Sequence, residues 1–297
     1  MKTKVLQTND EYLLTLHVFE VEQPKGYVQI IHGMEEHQER YEPLAEHLNK
    51  LGYTVITSNM RGHGEDAPLL GFFKEKDGYK HLLYDQKNIT RYIKETYKTE
   101  KVIIFAHSMG TIITRNLLRS ESGDYEKVIL SGYPCYNSGV GFGIFLADLI
   151  MLFKGPKYYS KLLANMSTGS FNKKIKNPES QIDWISVNKN NIENYLEDPY
   201  CGHGFKVSAY KDLFKLVKLM NKPNLYKFVN KELPILLLRG EEDPCTGYDK
   251  GSKQSINVLY KAGFKNIKDI SFDNMRHEIL NEADNQKVYE SIDVFLK

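Results

Sequence analysis

Short apolar runs alternate with amphipathic stretches along this chain, and the two periodicities predict two kinds of element. The runs at 27–31 (YVQII), 53–57 (YTVIT), 101–106 (KVIIFA), 127–130 (KVIL), 235–238 (ILLL) and 267–272 (IKDISF) predict strands. Residues 101–106 are apolar without alternation and rich in β-branched side chains, as a strand covered on both faces requires. Residues 41–50 place Leu44 and Leu48 four apart with Gly52 just beyond, which predicts a helix and its stop. Residues 78–97 predict a long amphipathic helix, and further helices are predicted from about 108 to 119 and over 284–295. Strands alternating with helices predict an α/β fold: a mostly parallel central sheet with right-handed crossovers and helices on both faces. Strand signals near 11–21, with no helix before residue 27, predict an antiparallel start to the sheet.

One interval breaks the rhythm. From 131 to 234 no convincing parallel strand appears, and the only tryptophan, Trp184, lies there. The pattern divides the chain into a core, 1–135 with 226–297, and a mainly helical cap, or lid, over 136–225. Within the cap, 141–153 (GFGIFLADLIMLF) is apolar apart from Asp148, yet too short to span a bilayer. It reads either as a lid helix buried against the sheet or as an acyl-chain wall or interfacial surface. Phe142, Phe145, Leu146 and Leu149 are its candidate substrate-binding residues, together with Gly33. Lys211, Lys215, Lys218 and Lys222 share one helical face, an arrangement usually solvated.

Composition narrows the function. In 297 residues, 40 basic and 38 acidic side chains leave a net charge of +2, without the basic excess of a nucleic-acid binder. Three cysteines are too few for a disulfide framework and point to a reducing compartment. The N-terminal residues lack an apolar stretch of signal-peptide length, so a cytoplasmic protein is expected. Oligomeric state is not legible.

The densest chemistry is Ala106-His107-Ser108-Met109-Gly110, which follows a predicted buried strand and opens a helix. That context suits a nucleophile elbow, whose strained turn needs tiny neighbours two residues either side. The alternative is that Ser108 is merely a helix N-cap at a strand–helix junction. A serine nucleophile needs a base, and the base needs an orienting acid. Asp243 lies just past the ILLL strand and His277 just past the last strand, in the chain order this fold uses. Glu242 and Asp273 remain alternative acids. The loop after residue 31 and the residue after the nucleophile supply oxyanion donors in such a fold, nominating the backbone N–H groups of Met34 and Met109. No H-E-x-x-H pair, P-loop or dinucleotide fingerprint is present, so neither a metal nor a cofactor is expected.

These pieces resemble one family. HGMEEHQERY at 32–41, NMRGHG at 59–64, AHSMG at 106–110, DPYCGHG at 198–204, EDPCT at 242–246 and RHEILNE at 276–282 are similar to the α/β-hydrolases of the monoacylglycerol lipase/lysophospholipase group, classed with serine aminopeptidase S33. Ala106 departs from the usual glycine, and Asn59 from a frequent aspartate. The resemblance implies a Ser108–Asp243–His277 triad, oxyanion donors at Met34 and Met109, and a lid near 136–225. The expected activity is hydrolysis of single-chain lipid esters through an acyl-enzyme, with a small-molecule lipid or ester as partner and transient membrane contact through the lid. The alternatives are an S33-type aminopeptidase, a small-ester carboxylesterase, or a non-catalytic binding protein on the same fold.

Overall fold

The computed structural model describes residues 1–297. Eight strands form one sheet: β1 (Lys2–Gln7), β2 (Leu13–Phe19), β3 (Gly26–Ile31), β4 (Tyr53–Ser58), β5 (Val102–His107), β6 (Tyr125–Ser131), β7 (Ile235–Gly240) and β8 (Ile267–Phe272). Their spatial order is β1-β2-β4-β3-β5-β6-β7-β8. The β1–β2 and β2–β4 pairs are antiparallel, and every other pair is parallel. The antiparallel start begins farther upstream than expected, because β1 lies at the sheet edge with almost no buried face. Its sequence KTKVLQ therefore carries little of the alternation that marks a half-buried strand.

Alternation along β5 sorts the core into two layers. Ile103 and Phe105 face α1 (Glu42–Lys50) and α9 (Gln286–Leu296), where Leu44, Leu48, Val288 and Ile292 are buried. Ile104 and Ala106 face the other way, with α2 (Gly78–Tyr97), α3 (Met109–Leu117) and α8 (Tyr248–Ala262). Each fully buried aliphatic side chain in these layers contributes about 1.5–3 kcal/mol. Parallel strands carry their carboxyl ends to one edge of the sheet, so the loops after β3, β5, β7 and β8 open on a common crevice.

Between β6 and β7 the chain forms α4 (Val140–Lys154), α5 (Lys161–Ser167), a 3₁₀ turn at Asp183–Ile185, α6 (Lys189–Glu197) and α7 (Val207–Met220). Helix α7 is largely buried, and its Leu213, Leu216 and Val217 join the same apolar core as β5 and α3. Helix α4 crosses α7 closely through Gly143, where a Cβ would meet the Phe214 ring at 2.8 Å. Lys211 pairs with Asp148 and Lys215 with Asp77, so half of the predicted basic face is occupied by ion pairs. No helix is long and apolar enough to cross a membrane.

Candidate active site

Ser108 sits between β5 and α3 with φ 49° and ψ −118°, a conformation costly for any residue with a side chain. The sheet holds it there: the Ser108 N–H donates to the Ser131 carbonyl at 3.0 Å. Gly110 is required two residues on, because a Cβ would collide with the Ile31 and His32 carbonyls. Ala106 raises no such conflict; its methyl is buried in the core layer beside Ile31 and Met109.

Three loops bring their side chains to this turn. Ser108 Oγ donates to His277 Nε2 at 2.8 Å. His277 Nδ1 donates to Asp243 Oδ2 at 2.9 Å, which fixes the tautomer that leaves Nε2 free to accept. Asp243 is fully buried, and its other carboxylate oxygen accepts from the Cys245 backbone N–H at 2.7 Å. Glu242 reaches toward Arg276 and Asp273 toward Lys287, so neither serves His277. Burial depresses the His277 pKa, but the Asp243 carboxylate more than offsets this and leaves it above the ordinary value. His107 packs beside it with ring centroids 4.8 Å apart, and burial drives its own pKa down to about 4, which keeps it neutral.

The turn after β3 completes the polar end. Neither Met34 nor Met109 finds an acceptor inside the protein for its backbone N–H, and both residues line the cavity in front of Ser108. Gly33 allows this approach, since a Cβ there would meet Ser108 Cβ at 3.0 Å and the His107 ring at 3.2 Å. Its N–H donates to Glu36, whose carboxylate also accepts from Tyr41 and from Arg40.

Arg40 also grips Glu278, at 2.8 and 2.6 Å, and Asn191 of α6 at 3.1 Å. Burial alone would raise the Glu278 carboxyl; the Arg40 guanidinium brings it down to about 2. One guanidinium thus joins the Gly33 turn, the His277 loop and α6. The sequence pattern did not single out this network, because Arg40 and Glu278 stand 238 positions apart. Trp184 was likewise missed as a site residue. Its ring lies 4.9 Å from that of His277, placed by the Glu278 N–H donating to Ile185 and by Arg276 Nη1 donating to the Asp183 and Ser186 carbonyls. As the chain's only tryptophan it offered a signal, though not one that indicated a position.

The cavity measures about 790 Å³. Met109, Ile112, Val140, Leu213, Phe214 and Val217 give it an apolar wall. Of the substrate-binding candidates, neither Gly33, buried with its N–H bound by Glu36, nor the four on α4 line this cavity. Phe142, Phe145 and Leu149 are 62%, 62% and 44% exposed, and Leu146 is half-buried against the core instead. The close α4–α7 crossing selects the small side of α4, Gly143 and Ala147, to face inward, and turns Phe142, Phe145 and Leu149 out.

Two donor clusters have metal-like spacing, and their chemistry opposes a metal. In His37, Asp198 and Cys201, both imidazole nitrogens are already bound to carboxylates, Glu39 at 2.5 Å and Asp198 at 2.7 Å, and His37 holds its proton more tightly than usual. In Asp243, Cys245 and His277, the proton shared by acid and imidazole occupies the ligand position, and burial pushes the Cys245 thiol well up.

The family model described as serine aminopeptidase, S33 matches residues 22–284. A monoacylglycerol lipase of Mycolicibacterium smegmatis is 22% identical over 277 residues, 91% of this chain and 87% of the relative. The monoglyceride lipase of Homo sapiens is 24% identical over 245 residues, 80% of this chain and 72% of the relative. Among solved structures, a thermostable carboxyl esterase from Bacillus coagulans superposes with a TM-score of 0.92 at 21% identity, covering 99% of this chain and 97% of its own. A monoacylglycerol lipase of Paleococcus ferrophilus gives 0.75 at 21% identity, covering 95% and 98%. At such identities the structural likeness establishes the α/β-hydrolase fold; the family model, matched over most of the length, establishes that the chain belongs to the serine aminopeptidase, S33 family.

Proposed function

We propose that this protein is a serine hydrolase that cleaves carboxylic esters of single-chain lipids. The observation that carries the reading is the hydrogen-bonded series Ser108–His277–Asp243 facing two unpaired backbone N–H groups. Ser108 Oγ attacks the ester carbonyl as His277 Nε2 takes its proton. Asp243 holds the imidazole and stabilises the imidazolium. The N–H groups of Met34 and Met109 bind the oxyanion; each such donor supplies about 3–4 kcal/mol in the transition state. His277 passes its proton to the departing alcohol, then activates water to release the fatty acid from Ser108. The apolar wall suits an acyl chain, and relatives named as monoglyceride and monoacylglycerol lipases support the substrate class.

The segment 136–225 acts as the cap in this reading. Its α4 displays Phe142, Phe145, Leu149, Leu152 and Phe153 to solvent, an apolar face suited to transient contact with a membrane surface.

Three outcomes test these proposals. Ser108→Ala lowers kcat/KM for a 4-nitrophenyl acyl ester by at least about 10³-fold; parental turnover in this variant contradicts the assignment. The pH dependence has a defined sign. The base must be neutral, so the parent protein loses kcat/KM on the acid side with a midpoint above the ordinary histidine value of about 6.5. Asp243→Asn removes the charge that offsets burial, so the midpoint moves lower and kcat falls by about 10⁴; an unmoved midpoint counts against Asp243. For the cap, replacing Phe142 and Phe145 together with serine weakens co-sedimentation with phosphatidylcholine vesicles by at least about tenfold. Equal binding by the variant, or none by the parent, refutes the surface contact.

A further inference from the structure

One side chain of the helical segment reaches the proposed base. Trp184 lies in the 3₁₀ turn at Asp183–Ile185, between β6 and β7, and lines the cavity together with Ser108 and His277. Its ring centroid is 4.9 Å from that of His277 at an interplanar angle of 43°, and the Phe171 ring packs on it at 5.0 Å. The seat is well defined. The Trp184 backbone N–H donates to Asn172 Oδ1 at 3.0 Å. Arg276, the residue before His277, donates to the Asp183 and Ser186 carbonyls at 2.7 and 3.1 Å. Glu278, the residue after His277, donates its N–H to the Ile185 carbonyl at 2.7 Å. Both neighbours of the imidazole thus hold the backbone around the indole, which fixes one ring against the other.

A proton on His277 makes this contact electrostatic. His277 Nε2 takes the Ser108 proton during acylation and carries a positive charge until it hands that proton to the leaving alcohol. An indole is the best aromatic partner for a cation within about 6 Å of the ring centroid, and the attraction grows where water is displaced. His277 is buried. From the loop after β7 it faces the Asp243 carboxylate and the protonated Cys245 thiol. Glu36, from the loop after β3, and Glu278, from its own loop, also lower the energy of the charge, though both are held by Arg40. His107 of β5 is neutral, and the Asp183 carboxylate accepts from the Glu179 and Ser180 N–H groups instead. We propose that Trp184 is a positioning residue for the base, whose indole stabilises the His277 imidazolium by a cation–π contact, so that the helical segment supplies part of the catalytic apparatus. This role rests on the Ser108–His277–Asp243 reading and deepens it. The contact has a sign. A partner that favours the imidazolium raises the pKa of His277 and lowers the barrier to the step that forms it, so its loss lowers both the acid-side midpoint and kcat. Loss of a side chain that only shields the base from water has the opposite effect on the midpoint, because admitted water favours the charged ring.

The test compares the parent protein with Trp184→Phe, which keeps a weaker aromatic face, and Trp184→Leu, which keeps apolar bulk without one. With 4-nitrophenyl butyrate, Trp184→Leu is expected to lower the acid-side midpoint of kcat/KM by about one pH unit and kcat by about tenfold, with KM little changed and Trp184→Phe in between. As the only tryptophan, Trp184 also reports on the resting protein, with neither turnover nor a Trp184 variant. A protonated imidazole against an indole quenches its emission. Parent fluorescence is therefore expected to fall on acidification with the midpoint of the kinetic limb, and His277→Gln to abolish that transition. An unmoved or raised midpoint in Trp184→Leu, a rise in KM with kcat unchanged, or a parent emission that does not titrate, or titrates equally in His277→Gln, overturns the role of Trp184 and leaves the Ser108 reading standing. A parent that does not cleave the ester overturns that reading and this inference with it.

Discussion

The site depends on one strained backbone conformation. Ser108 holds a positive φ that a residue with a Cβ adopts at a cost of about 1–3 kcal/mol. The strain persists because β5 fixes one side, α3 the other, and the Ser131 carbonyl holds the N–H between them. It lifts the hydroxyl out of the strand line and into reach of His277, and it leaves the Met109 N–H at the start of a helix without an acceptor. A relaxed turn would lose the hydroxyl's position and the donor together.

Around that turn, buried charge is arranged so that each part has a partner. Arg40 joins the turn bearing Met34 to the loop bearing His277, and its removal would leave Glu36 and Glu278 buried without a cation. Arg40 also reaches Asn191, while Glu282 accepts from Ser186, Val187 and Asn188, so the helical segment is bound to the same loops that bear Met34 and His277. Trp184 and His107 flank the buried His277 ring and hold its orientation.

Much of the architecture was legible because periodicity is local. The helix expected over 78–97 and the strands at β3 to β8 follow from runs whose burial matches their spacing. Ser108, Asp243 and His277 could be placed for a related reason: each falls in a loop at the carboxyl end of a recognisable strand. Edge strand β1 could not, since solvent covers both of its faces. Helix α4 deceived for the opposite reason. It is apolar on nearly every side, so its sequence gives no direction, and the choice of Gly143 over Phe142 or Phe145 as the inward residue belongs to its crossing with α7. The Glu36–Arg40–Glu278 link and the seat of Trp184 are contacts between remote segments, which no local pattern encodes.

The central claim is that His277 and Asp243 make the Ser108 hydroxyl a nucleophile. Mass spectrometry after treatment with a fluorophosphonate tests it most directly. The account predicts one phosphonyl adduct, located by peptide mapping on Ser108, forming at least about 10³-fold more slowly in His277→Ala. An adduct on another residue, no adduct, or an unchanged labelling rate without the imidazole would contradict it.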